Sequence, residues 1–143
     1  MNNYTLACIP VTLIEVMWPT ILPFIDLVVN VASDEITAES IKQRCLRADA
    51  MLVCVCKGPT VIAVNLLEVR TFETGMKALY IPVVGGTEMN DWCDQFLDLC
   101  KTIGKDLGCT ELRGIAARKG WVKKLAPKGW EDVSILMRYK LEV

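Results

Sequence analysis

Met76-Lys77-Ala78-Leu79-Tyr80-Ile81-Pro82-Val83-Val84-Gly85-Gly86-Thr87-Glu88 joins a β-rich run to the most regular apolar stripe of the chain. The stripe consists of Met89, Trp92, Cys93, Phe96, Cys100, Ile103 and Leu107, spaced mostly by three and four, which puts them on one face of a helix. Thr87 is placed to cap that helix and Gly108 to end it. Glu88, Asp91, Asp94 and Asp98 fill the first half, while Lys101 and Lys105 stand in the second with Asp106 the one exception, the polarity a helix dipole favours. The run before it carries Pro82, which cannot donate to a ladder, so that strand must lie at an edge, bulge, or splay from a neighbour.

Upstream, residues 51–56 and 60–69 are two β-rich runs around a Lys57-Gly58-Pro59 turn. Nearly every residue in them is apolar, as in strands covered on both faces. Residues 4–9 form a short strand closed by Pro10. Residues 11–18 and 21–31 are helical, with a break or kink expected at Pro19. Ser33-Asp34-Glu35 reads as a loop. Thr37 then opens a short helix carrying Ile41, Cys45 and Leu46, with Ser40 supplying half of a capping box. Downstream come a strand at 110–116, a helical segment at 121–125 and a final strand at 133–141. The order β, α, α, β, β, β, α, β, α, β implies a single α/β domain spanning 1–143, a mixed sheet with helices on both faces.

Composition narrows the chemistry. The 143 residues are 52% hydrophobic and 23% charged, with a net charge of -1 and no histidine. Histidine-based nucleophilic triads, histidine bases and histidine zinc sites are therefore excluded. The first 41 residues carry a charge of -5 and the remaining 102 carry +4, with six basic and no acidic residues from Arg113 to Lys128. Seven cysteines at 8, 45, 54, 56, 93, 100 and 109 sit mostly in apolar stretches and read as reduced core thiols of an intracellular protein. Cys54 and Cys56 point to one face of a strand but have no second pair to complete a tetrahedral site, so no metal is expected. Glu15 and Asp26 divide the apolar N-terminal segment, so no membrane span is expected.

The element order resembles the GNAT fold of the N-acetyltransferase superfamily over essentially the whole chain. A narrower resemblance is to phage-encoded GNAT-like proteins. It rests on Val16-Met17-Trp18-Pro19, on Ile36-Thr37 with Glu39-Ser40-Ile41, on Arg118-Lys119-Gly120-Trp121 with Leu125 and Gly129-Trp130, and on Met137 to Leu141. The fold so implied is a GNAT-like, mostly antiparallel twisted sheet with helices on both faces. The resemblance further implies a loop holding the coenzyme A pyrophosphate at the strand–helix junction, where Gly85, Gly86 and Thr87 stand here. The family's leading Arg or Gln is missing, and Glu88 and Asp91 put negative charge where an anion would sit. Glu68 and Glu73 are the candidate bases. Gly120-Trp121-Val122 occupies the neighbourhood of the family's tyrosine acid, and Tyr80 and Tyr139 have no assigned partner.

Two expectations follow. The first is a GNAT-like domain without catalysis or cofactor, located in the host cytoplasm or the virion. It would act as a structural or interaction component through virion or tail partners or self-association, with the apolar segment holding Trp18, Ile21, Leu22, Phe24 and Ile25 as excess surface. The alternative is an acetyl-CoA-dependent N-acetyltransferase. Lys119, Lys123, Lys124 and Lys128, interleaved with Trp121 and Trp130, also offer a nucleic-acid surface.

Overall fold

In the computed structural model, residues 3–32, 36–114 and 119–141 are described, the side chains at 28, 30–32, 83–85 and 119 excepted. The chain runs from β1 (Tyr4–Cys8) through a 3-10 turn (Val11–Leu13) into α1 (Ile14–Ala32) and α2 (Ala38–Leu46). It continues through β2 (Met51–Lys57), β3 (Thr60–Thr71), β4 (Lys77–Gly86), α3 (Met89–Asp106), β5 (Glu111–Arg113) and α4 (Lys119–Leu125), ending in a 3-10 turn (Ala126–Lys128). The sheet order is β1-β2-β3-β4-β5, antiparallel up to β4 and parallel between β4 and β5. The expected loop at Ser33-Asp34-Glu35 and the end of the strand expected at 110–116 lie outside the described residues.

The sheet is covered on both faces, as its apolar strands require. Leu52, Cys54, Val64 and Leu66 pack with Ile14, Trp18, Ile21, Ile25 and Ile41 of α1 and α2. On the opposite face Val53, Val55, Leu67 and Leu79 pack with Trp92, Phe96 and Cys100 of α3. Pro82 sits in a bulge. Leu66 pairs with Val83 and Glu68 with Tyr80, so Ile81 and Pro82 together face Leu67 and the missing donor lies outside the regular ladder.

Four local expectations change. α1 passes through both Pro19 and Pro23 without a break. Both prolines are exposed, so the carbonyls left without an intrahelical partner can turn to water while the buried stripe of Ile14, Trp18, Ile21 and Ile25 holds the helix to the sheet. That burial also places Trp18, Ile21 and Ile25 in the core rather than on an excess surface. At α2 the capping box is complete, because the Ser40 hydroxyl accepts from Thr37 N at 3.0 Å while Thr37 Oγ1 accepts from Ser40 N at 3.0 Å. Of the cysteines, Cys45, Cys54, Cys93 and Cys100 are buried but Cys8 is exposed. Burial pushes the Cys100 and Cys54 thiols up to about 12 and the Cys45 thiol up to about 11, which keeps them protonated.

The largest difference lies at 133–141, where no strand forms. Residues 130–141 run without turn or bend, and Ile135 and Tyr139 are each 87% exposed, so the segment meets no sheet edge with which to build a ladder. Among the described residues no helix is long and apolar enough to cross a membrane.

The exit from β4 is sterically determined. Gly86 has φ +142°, and a Cβ there would stand 2.3 Å from Ala63 Cβ and 2.4 Å from Ile62 O. Gly86→Ala is therefore expected to lower unfolding free energy by at least about 3 kcal/mol in urea titration, from strain and overlap together. A loss below about 1 kcal/mol would show that the two strands separate readily here.

Candidate functional site

β4 and β5 are parallel neighbours, paired only over Ala78–Tyr80 and Glu111–Arg113, so β5 ends beside the middle of β4 and the last part of β4, residues 81–86, runs on beyond that pairing. α3 begins just past the end of β4 and α4 follows β5. A cavity of about 450 Å³ opens between residues 88–91 at the start of α3 and Gly120, Trp121 and Lys124 of α4. Lys124 Nζ reaches Asn90 Oδ1 at 2.5 Å and lies 5.4 Å from the Trp121 ring centroid, so this cation belongs to the cavity wall.

The mouth of α3 is built differently from the capped start expected. Glu88, in the left-handed region at φ 58°, is the residue preceding the helix, and no side chain caps it. Thr87 instead serves through its backbone: its N–H donates to Ile62 O at 3.1 Å and its carbonyl accepts from Trp92 Nε1 at 2.7 Å. Gly85 and Gly86 belong to β4, opposite Val64 and Ala63. A left-handed non-glycine residue is uncommon, and here two side-chain contacts accompany it. Lys57 Nζ donates to Glu88 Oε1 at 2.8 Å, and the Tyr4 hydroxyl lies 3.0 Å from the same oxygen and 3.1 Å from Asp91 Oδ2.

These contacts shift all three groups. The hydrogen bond from Lys57, then that from Tyr4, holds the Glu88 carboxyl below its ordinary value of 4.5. The same bond raises the Lys57 ammonium. Desolvation first, then the two carboxylates, pushes the Tyr4 hydroxyl up to about 12. Asp91 and Glu88 therefore do not face the cavity as two uncompensated charges.

The candidate bases stand elsewhere. Glu68 Oε1 accepts from Arg44 Nη1 at 2.7 Å, tying β3 to α2, and its side chain is 12% exposed. Glu73 lies in the exposed turn between β3 and β4. Neither lines the cavity. Tyr80 lies under the Arg70 guanidinium, 3.7 Å from its ring centroid, and Tyr139 is exposed outside any strand. Of the basic segment, Lys124 and Lys128 turn to α3, Lys128 pairing with Asp94, while Lys123 is exposed and the Lys119 side chain lies outside the described residues.

Sequence reasoning missed Tyr4, Lys57 and Asn65. Tyr4 pairs across the sheet with Lys57, but both reach α3 only through the tertiary fold. Asn65 did carry a signal, as the one polar residue in an apolar run. It is fully buried in β3, and neither polar atom of its side-chain amide has a partner among the described residues. Among the described residues no cluster of three or more cysteine, aspartate or glutamate side chains is arranged to hold a metal.

No family model and no curated protein sequence matches the chain. Solved structures do. An aminoglycoside acetyltransferase from an uncultured soil metagenomic sample, in complex with trehalose, superposes with a TM-score of 0.73 at 9% identity, covering 98% of this chain and 97% of its own. An aminoglycoside N-acetyltransferase in complex with CoA gives 0.71 at 13% identity over 100% and 97%. Glucosamine-6-phosphate N-acetyltransferase from Arabidopsis thaliana gives 0.66 at 12% identity over 99% and 100%. The fold is that of the GNAT acetyltransferases, a mixed α/β sheet that is mostly antiparallel.

Because the Glu88 carboxyl is held below 4.5, its contribution to stability is present above that pH and is lost as pH falls through the lower folded value. Denaturation midpoints followed from neutral pH into acid are expected to decline less steeply for Glu88→Gln than for the unmodified chain. Identical acid limbs would show that the contacts to Lys57 and Tyr4 contribute nothing to folding.

Proposed function

We propose that the chain is an acetyl-CoA-dependent N-acetyltransferase whose cofactor binds in the cavity between α3 and α4. The observation that carries this reading is the cavity's place just past the carboxyl end of β4, where α3 begins and where the parallel pairing with β5 has already ended. Open α/β sheets take their ligands in such crevices. The shared fold supports it, since one structural neighbour is in complex with CoA and another with a CoA bisubstrate analogue.

The residues present fit a phosphate-bearing ligand. Lys124 supplies a positive charge and Trp121 an aromatic face, while Gly120 has open space where a side chain would stand. The first-turn N–H groups of α3 point the positive end of the helix dipole at the same space. Glu88 opposes an anion there, but Lys57 and Tyr4 draw on its charge. Beyond Tyr80, β4 has no described partner on the β5 side, leaving backbone groups for an amide-bearing chain. Bound acetyl-CoA would supply the thioester, its acyl group passing to an amine as the C–S bond breaks and the coenzyme leaves as its thiol. With Glu68 and Glu73 both outside the cavity, the amine's proton leaves to solvent or through a water to a carboxylate.

A second reading is favoured by Glu88 and Asp91 at the mouth of α3. It is a GNAT-like interaction protein without catalysis, associated with a virion or resident in a host cytoplasm. Phage origin and virion partners rest on the sequence motifs alone.

Isothermal titration separates the two. Acetyl-CoA is expected to bind with micromolar affinity, and Lys124→Ala to weaken binding about tenfold, or about 1.4 kcal/mol. No heat at millimolar acetyl-CoA would overturn the enzyme reading in favour of the second.

A further inference from the structure

Cys54 and Cys56 stand on the side of β2 that packs against α1 and α2. Residues two apart in an extended strand are separated by about 6.6 Å of rise. The two sulfurs nevertheless lie 3.9 Å apart, so the side chains converge. The ladder is irregular at this point: Val55 pairs with Ala63 and Cys56 with Val61, which leaves Ile62 as an extra residue on β3.

The two thiols differ in access. Cys54 is 5% exposed, among Ile9, Ile14 and Leu52, whereas Cys56 is half-buried. β1 borders the pair as the edge strand, with Ala7 opposite Cys54 and Thr5 opposite Cys56. Both of these β1 residues are exposed, so solvent approaches the pair from that edge. Burial first, then the neighbouring Cys56, pushes the Cys54 thiol up. Reaction with a dissolved oxidant therefore begins at Cys56, and Cys54 is the thiol in contact with it.

The pair also adjoins two contacts that reach the mouth of α3. Lys57, next in the chain, donates to Glu88 Oε1 at 2.8 Å. Ile62, the extra residue opposite, accepts from the Thr87 N–H at 3.1 Å. Bringing the sulfurs to bonding distance draws this end of β2 together and displaces Lys57.

We propose that Cys54 and Cys56 form a redox-active dithiol that takes a hydroperoxide as its oxidant and closes to a disulfide, altering the Lys57–Glu88 contact at the mouth of α3. The Cys56 thiolate attacks one peroxide oxygen and the O–O bond breaks. The other oxygen leaves as an alcohol, or as water from hydrogen peroxide, with the proton Cys56 gave up, and Cys56 becomes a sulfenic acid. Cys54 Sγ then attacks Cys56 Sγ, the S–O bond breaks, and its oxygen leaves as water with the Cys54 proton. The two electrons lost by the sulfurs reduce the peroxide, and a dithiol reductant returns both thiols. None of this depends on whether acetyl-CoA binds.

Peptide mapping of the unmodified chain tests the proposal, because cleavage after Arg47 and Lys57 places both cysteines in one peptide, 48–57, free of the other five. After hydrogen peroxide and then alkylation of free thiols, that peptide is expected unalkylated and lighter than its dithiol form by two hydrogen atoms, with reversal by dithiothreitol. The Glu88 backbone amide is expected to shift on oxidation. Cys54→Ala leaves no thiol to close the bridge, so Cys56 is expected to be trapped by dimedone as the sulfenic acid. Both cysteines of 48–57 alkylated after peroxide, or Cys56 bridged to a cysteine of another peptide, would overturn the proposal. So would an unmoved Glu88 amide in the oxidised chain, or a Cys54→Ala chain that dimedone does not label at Cys56. Should Cys54→Ala fail to fold, the peptide map and amide shift of the unmodified chain decide alone.

Discussion

The close approach of Gly86 on β4 to Ala63 on β3 determines where the rest of the candidate site can be. With no room for a Cβ, β4 stays against β3 to its last residue, and Thr87 continues the contact through its N–H to Ile62 O. The Thr87 carbonyl then receives the Trp92 indole N–H, which anchors the first turns of α3 over the sheet. Trp92, wholly buried, is the largest side chain of the core on that face. The position of the cavity follows from this chain of contacts, because its α3 wall is the segment they place.

Charge at the same point shows a compromise between folding and binding. An acid before a helix stabilises the empty helix end and opposes an incoming anion. Lys57 and Tyr4 engage the Glu88 carboxylate, and Lys124 adds a cation opposite. Exposed ion pairs of this kind contribute little to stability, typically under about 1 kcal/mol each. Their larger effect is on the local field, which would otherwise be set by Glu88 and Asp91 alone. Lys57 also explains why strand pairing matters to the site, since the pairing of β1 with β2 sets Tyr4 and Lys57 side by side where α3 meets them.

Much of the architecture was legible in local patterns. The stripe on α3, the turn after Lys57 and the doubly buried strands follow from spacing and composition, and the bulge at Pro82 follows from a missing donor. Pro19 misled because its effect depends on which face it occupies: on the solvent side of α1 the freed carbonyls are hydrated and the helix continues. Thr87 misled because Glu88 takes the position before the helix, so the Thr87 hydroxyl stands one residue too early to cap and Thr87 acts through backbone groups that almost any residue could supply. Tyr4 and Glu88 are separated by most of the chain, so no local pattern reports their contact. Residues 133–141 carry a strand's alternation, but alternation says what a segment needs and not whether a sheet edge stands where it can meet one.

Glycine spacing and acidic residues, read from the sequence, argued against a cofactor at the strand–helix junction, whereas topology and fold place a crevice there. Backbone amide shifts recorded during titration with coenzyme A test the site most directly, because they report position as well as binding. The predicted result is a set of shifts centred on Glu88 to Asp91 and Gly120 to Lys124, with little change at Glu68 or Glu73. Saturable shifts elsewhere, or none at all, would contradict the assignment of the cavity between α3 and α4.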